Sequence, residues 1–308
     1  MCSTPVGDGA KRTLILPMLI GAHVSTAGGL ARAHERGVER GCEAIQIWGQ
    51  SPRQWRPTRW KDEDVAAFRE QMADGPIKSV VIHSIYLINC ASKDRDIRRK
   101  SAASLIHALR TGDAIGADGV VLHPGSAKGE PNQEALPRVA EIVKHALDES
   151  DRCPLLLENT AGAGDTIGRS FEELDRLIKL GGRRKRIGIC LDSCHLFASG
   201  FDITTADKLA EVIDRFDATV GSGRLTCLHM NDSQTALGSN RDRHAPPGDG
   251  EIGPRGCAAF LSEPRFDGLP VLFEGPGVEG KAVAKEDIDR MKELRRNGLR
   301  ARRRRKKS

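Results

Sequence analysis

Residues 119–124 read GVVLHP, an apolar run that stops on a histidine and then a proline. Seven other runs share this form. LIGAHV occupies 19–24, AIQIWG 44–49, SVVIHS 79–84 and PLLLEN 154–159, and IGICLD, LTCLHM and PVLFEG follow at 187–192, 225–230 and 270–275. Continuous apolar runs of this length, rich in Val, Ile and Leu, suit strands buried on both faces. Between them, apolar residues recur at helical spacing. Ile97, Ser101, Leu105 and Leu109 form one stripe, Leu136, Val139, Ile142, Val143, Ala146 and Leu147 a second, and Phe171, Leu174, Leu177 and Ile178 a third. Strand alternating with helix makes parallel βαβ units. Eight of them predict an α/β fold closed as a (β/α)8 TIM barrel, with the active site at the C-terminal ends of the strands. A doubly wound open sheet is the other arrangement, but no GxGxxG follows the first run.

A chain of 308 residues is long enough for one large barrel. With 39% hydrophobic and 29% charged residues it is neither disordered overall nor fibrous. No apolar run approaches the roughly 18–20 residues needed to cross a bilayer, so no membrane partner is expected. The net charge of +6 is concentrated in the last ten residues, which hold five Arg and two Lys, and the remainder is near neutral. The organisation expected is an extension over 1–17, a barrel domain over 18–297 and a disordered basic tail over 298–308. Such a tail attracts polyanions without sequence preference, or serves as a nuclear address. Lys11 and Arg12 precede LILPMLIGA, which superficially resembles an export signal, but Pro17 interrupts it and its end is needed as the first strand. The eight cysteines form no CxxC pair, and several sit in apolar runs, which implies buried thiols in a reducing compartment.

Chemistry collects where the runs end. His23 closes the first, His83 the third, His123 the fourth, Glu158 the fifth and Asp192 the sixth, with His195 three residues on. His229 closes the seventh and Glu274 the eighth, and a polar loop over 231–253 adds Asp242 and His244. A lone histidine at a strand end is more commonly a hydrogen-bonded core residue than a ligand, and His34, His107 and His145, in helical stretches, take that bland reading. Convergence on one rim is different, because so much buried polarity is costly without a partner. The all nitrogen and oxygen set His83, His123, Glu158, Asp192, His195, His229, Asp242, His244 and Glu274 favours zinc or manganese. Nine ligands suit two or three ions, an arrangement used for phosphoryl transfer.

The chain resembles the endonuclease IV family of zinc-dependent apurinic/apyrimidinic endonucleases. The resemblance rests on GAHVSTAGGL at 21–30, SPRQWR at 51–56, HSIYLIN at 83–89, LHPGS at 122–126, LENTAGAG at 157–164, CLDSCHLFASGFD at 190–202, HMND at 229–232, RDRH at 241–244, GDGEIG at 248–253 and FEG at 273–275. It implies three zinc ions (Zn2+), with manganese able to replace some. One would be held by His83, His123 and a bridging Glu158, a second by Glu158, Asp192, His229 and Glu274, and a third by His195, Asp242 and His244. It implies hydrolysis 5′ of an abasic site in double-stranded DNA, in base-excision repair, with Glu158 and Glu274 catalytic and Glu274 also orienting or deprotonating the attacking water. Arg53, Tyr86 and Leu87 match the positions that enter the minor groove and flip the abasic nucleotide, while Trp55 packs under its loop. A monomer located with DNA follows: cytoplasmic, on the nucleoid of a bacterium, or in a eukaryotic nucleus. The chain departs from the family pattern at the start of the 50–60 loop and at Gly275-Pro276, neither of which touches a ligand. The rival enzyme class is a metal-dependent sugar isomerase or epimerase of the xylose-isomerase-like barrels, for which His195, Asp242, His244 and the loops at 50–60 and 84–89 have no use.

Overall fold

The computed structural model describes residues 17–182 and 185–305, in which the eight apolar runs are eight parallel strands closed into a barrel. They are β1 (Leu19–His23), β2 (Ala44–Trp48), β3 (Ser79–His83), β4 (Gly119–Leu122), β5 (Leu155–Glu158), β6 (Ile187–Asp192) and β7 (Leu225–His229). After a two-stranded insertion of β8 (Asp232–Ser233) and β9 (His244–Ala245), β10 (Pro270–Phe273) pairs with both β7 and β1. This is the expected (β/α)8 TIM barrel. His123 and Glu274 stand one residue past their strands, where the ladder has already opened towards the rim.

The helices are α1 (Leu30–Glu39), α2 (Asp62–Asp74), α3 (Arg95–Ile115), α4 (Asn132–Asp148), α5 (Phe171–Gly181), the short α6 (Ser193–Ala198), α7 (Ala206–Thr219), α8 (Gly253–Phe260) and α9 (Lys285–Arg305). Their limits have local causes. The Asp94 carboxylate accepts from the N–H groups of Asp96 and Ile97 to start α3, and Gly116, at φ 74°, ends it. Ser170 caps α5 in the same way. Ser101, Leu105 and Leu109 of α3 and Phe171, Leu174, Leu177 and Ile178 of α5 are buried, as their periodicity predicted. Inside the barrel, Ala44, Val81, Val121, Leu156, Cys190, Cys227 and Leu272 form a separate filled core. Below the rim, therefore, the interior is packed rather than a channel.

The basic segment differs from the disordered tail expected over 298–308. Helix α9 continues through Arg305, because Leu294 and Gly298 are buried against α8 and the inward arginines find partners. Arg302 donates to the Ser262 carbonyl and pairs with Asp267, and Arg305 pairs with Asp207. Packing and ion pairs thus order a stretch whose composition alone reads as solvated. The extension expected over 1–17 lies, Pro17 excepted, outside the described residues, as do 306–308. The seven described cysteines are free and buried.

Strand closure leaves no room at Gly21, where a Cβ would stand 1.6 Å from the Ala44 carbonyl oxygen of the neighbouring strand. Gly21→Ala must spread β1 from β2, and we expect a loss of about 1–3 kcal/mol or more in urea unfolding.

Candidate metal centre

All nine residues singled out in the sequence come together at the C-terminal rim. Glu158, at the end of β5, is fully buried and its two oxygens meet different imidazoles. Oε2 lies 2.8 Å from His123 Nε2 and 3.3 Å from His83 Nε2. Oε1 lies 3.1 Å from His229 Nδ1 and 3.2 Å from His195 Nδ1. His229 Nδ1 is also 3.3 Å from Glu274 Oε2 and 3.8 Å from Asp192 Oδ2. Nearer the mouth, the Asp242 carboxylate spans two imidazoles, 3.2 Å from His195 Nε2 and 3.0 Å from His244 Nε2. Donor atoms of His83, His123 and Glu158 lie within 4.8 Å of one another, as do those of Glu158, Asp192, His229 and Glu274, and those of Asp192, His195 and His244. Ligands of one tetrahedral ion at 2.0–2.1 Å stand about 3.3 Å apart, so these spacings suit shared cations.

Local structure sets these positions. Asp192 caps α6 by accepting from the His195 N–H at 2.7 Å, which seats two members one helical turn apart. The polar insertion after β7, expected as a loop, is in part ordered by a short β8–β9 pairing. Asp232 is buried and its carboxylate accepts from the N–H groups of Ser233, Gly248, Gly250, Ile252 and Gly253 at 2.7–3.2 Å. With the β8–β9 pairing, this returns His244 to the rim.

The imidazole tautomers fit ligation. His83 Nδ1–H donates to the Ser84 carbonyl at 2.7 Å and His195 Nδ1–H to the Asn159 carbonyl at 2.9 Å, leaving each Nε2 lone pair aimed at carboxylates. His229 is fixed by Gln46. An ionised carboxylate can only accept, so the Gln46 amide must present its Nε2 to Glu274 Oε1, 2.8 Å away. Its oxygen then faces His229 Nε2 at 2.8 Å, which must carry the proton, and Nδ1 is left with the lone pair. Metal-ligating histidines commonly have their second nitrogen held in this way. Asn231 completes the support, donating to Asp192 Oδ2 at 2.5 Å and Glu274 Oε2 at 3.1 Å.

Electrostatics point the same way. Burial alone would raise the Glu158 carboxyl, but the facing His123, His229 and His195 hold it well below the usual range. Glu274, likewise opposed by burial, is pulled down to about 2, chiefly by His229. In turn, burial would lower His229 and His195, yet their carboxylate neighbours push both well above the ordinary value. The carboxylates draw positive charge into a buried space. His244 Nε2, buried, makes no hydrogen bond of acceptable geometry. The donor set therefore fits bound divalent cations.

The residues expected to meet DNA occupy the rim. Tyr86 is 71% exposed and rests on Trp48, with ring centroids 4.8 Å apart. Together with His83, His123, Asp242 and Glu274 it lines an open cavity of about 340 Å³. Arg53 is exposed, and although it partly opposes them, burial and the Glu274 carboxylate push the Tyr86 phenol above its ordinary value. Leu87, by contrast, is half-buried and packs on the core, as do Trp55 and Trp60 of the 50–60 loop. Sequence reasoning assigned no role to Gln46, Asn159, Asn231 and Asp232. Gln46 carried one signal, as the single polar residue inside an otherwise apolar strand.

The comparisons agree with this geometry. The family described as the xylose isomerase-like TIM barrel matches residues 35–294. A probable endonuclease 4 of Geotalea daltonii is 39% identical over 259 residues, covering 83% of this chain and 91% of that protein. One from Halothermothrix orenii is 37% identical over 281 residues, covering 91% and 100%. Crystalline endonuclease IV from Thermus thermophilus superposes with a TM-score of 0.79 at 35% identity, covering 92% of this chain and 99% of that one. A D-tagatose 3-epimerase-like protein reaches a TM-score of 0.66 at 20% identity, a likeness of fold alone. Barrel and rim thus define a metal-dependent hydrolase on the xylose isomerase-like scaffold. Within that class, the chain belongs to the endonuclease IV family and is a nuclease.

Replacing Gln46 by Met keeps the volume and removes both amide contacts. We expect a 10–100-fold loss of zinc affinity, read by competition with a chromogenic chelator, with the far-UV circular dichroism unchanged.

Proposed function

We propose that the protein is a DNA-repair endonuclease that hydrolyses the phosphodiester bond 5′ of an abasic site, leaving a 3′-hydroxyl and a 5′-deoxyribose phosphate, in base-excision repair. The observation that carries this is the two-sided placement of Glu158 between imidazole groups, with a further imidazole–carboxylate group around Asp242 at the mouth. His83, His123 and Glu158 would hold one zinc ion, Glu158, Asp192, His229 and Glu274 a second, and His195, Asp242 and His244 a third, with manganese able to substitute in part. Asp192 lies near enough to His244, 4.0 Å, to share in the third group. Bound ions of this kind supply a lowered pKa for water, neutralisation of phosphate oxygens and stabilisation of the leaving alkoxide.

The chain's own residues supply orientation and proton handling. Glu158 and Asp192 side chains are fully buried, whereas Glu274 is 17% exposed to the cavity. Among these inner carboxylates, Glu274 is the one an attacking water can reach, and as an ionised acceptor it can take a hydrogen bond from that water and orient it. Gln46 and Asn231 fix its two oxygens, so it meets the water without reorganising. Tyr86, beside this cavity, would enter the minor groove with Arg53 and Leu87 and flip the abasic nucleotide. The partner is double-stranded DNA engaged by a monomer. Such a substrate puts the protein in the cytoplasm, on the nucleoid of a bacterium, or in a eukaryotic nucleus. No helix among the described residues is long and apolar enough to cross a membrane.

The direct test is incision of a duplex carrying one tetrahydrofuran abasic analogue, with metals counted per chain. Native protein should nick 5′ of the analogue, chelator-stripped protein should not, and added zinc should restore cleavage. Failure of zinc-loaded protein to nick would overturn the proposal. Glu274→Gln should reduce the single-turnover rate at least 100-fold while leaving the affinity for abasic duplex within about threefold. Tyr86→Ala should weaken binding of abasic over intact duplex by about 1–3 kcal/mol in gel-shift titrations, with zinc content unchanged.

A further inference from the structure

Helix α9 connects the two ends of the barrel. It starts beside the rim, where Asp287 accepts from the Val278 and Ala284 N–H groups and Arg290 pairs with Asp249. By Arg295 it has reached the other end. That guanidinium donates to the Leu261 carbonyl and pairs with Asp267 at 3.0 Å, beside Met18. Met18 directly precedes β1 and Asp267 lies three residues before β10, so they mark the N-terminal ends of the strands, opposite the metal rim. Arg302 is held there too, by Ser262 and Asp267, and Arg305 pairs with Asp207. These inward arginines are spent on the fold.

Four others are not. Arg296, Arg300, Arg303 and Arg304 are exposed and have no ion pair among the described residues. Their spacing, i, i+4, i+7 and i+8, puts them on one outward stripe. The stripe is about 12 Å long at the helical rise, and duplex DNA carries about seven negative charges over that length. Asp289 and Glu293 lie near Arg296 at its start, but after Glu293 the sequence has no further acidic residue. Cations do stabilise a helix C-terminus, but that effect fades within the last turn and does not reach Arg296 or Arg300.

We propose that this stripe is a second binding surface for duplex DNA, so that one segment is held at the N-terminal end of the barrel while another is engaged at the metal rim. This rests on the DNA substrate proposed above. The test uses the full chain and the variant Arg296→Gln/Arg300→Gln/Arg303→Gln/Arg304→Gln, with the four corresponding Arg→Lys changes as the conservative control. Binding to an intact 30-base-pair duplex is measured across salt concentrations. Bridging is measured as recovery of a fluorescent duplex on a biotinylated one. The Gln variant should lose bridging at least tenfold, and its log–log salt slope should be shallower by about 3 to 4, since each phosphate contact contributes about 0.9. The Lys variant should keep both. Incision of a short abasic duplex at fixed salt should stay within about twofold of the parent. An unchanged slope with unchanged bridging would overturn the proposal, as would a lower melting temperature alone, which would make the stripe only a helix-end stabiliser. Incision falling in step with bridging would overturn it as well, by placing the stripe on the cleavage path. A parent that incises nothing would sink the substrate assignment, while the slope and bridging comparison would still judge the stripe.

Discussion

The Glu158 carboxylate is the interaction on which the site depends. It is fully buried at the end of β5, and each oxygen is within hydrogen-bond reach of imidazoles from other strands. An isolated carboxylate in that position would take up a proton, since burial penalises the charged form. Here the surrounding imidazoles reverse the preference and keep it ionised. The same charge drives His195 and His229 towards protonation. A centre with this balance has room for cations in place of protons, which is what a hydrolytic metal site requires.

Around these donors lies a layer of amides that carry no charge and set direction. Gln46 decides which nitrogen of His229 is free, because Glu274 dictates which way its amide must face. Asn231 ties Asp192 to Glu274 and so couples β6 to the end of β10. Asp232 does comparable work at the scale of a loop, gathering five N–H groups and thereby placing His244. Direction supplied before substrate arrives costs nothing at the moment of reaction.

Helix α9 gives the molecule two separate polar ends. The rim concentrates carboxylates and imidazoles, while the opposite end gathers arginines, some locked into the fold and some facing outward. The barrel core between them is filled by apolar side chains and two thiols.

The apolar runs by themselves determined the strands, because a strand buried on both faces must be apolar over its whole length and must stop where it meets the rim. They also pointed to six of the nine rim residues, since polar groups at successive strand ends have one face in common in a closed parallel barrel, whereas His195, Asp242 and His244 lie in the helix and insertion that follow β6 and β7. The roles of Gln46, Asn231 and Asp232 were not legible, although Gln46 stood out as polar, because an amide or carboxylate has meaning only through partners far away in the chain, here 183 residues off for Gln46 and His229. Leu87 reads as a wedge from its motif, yet tertiary packing half-buries it against the core. The basic segment was read by composition as disordered, and only the tertiary structure supplied what orders it. Buried Leu294 and Gly298, with acids on α7 and before β10, offset the repulsion of a run of like charges that the sequence alone leaves unopposed.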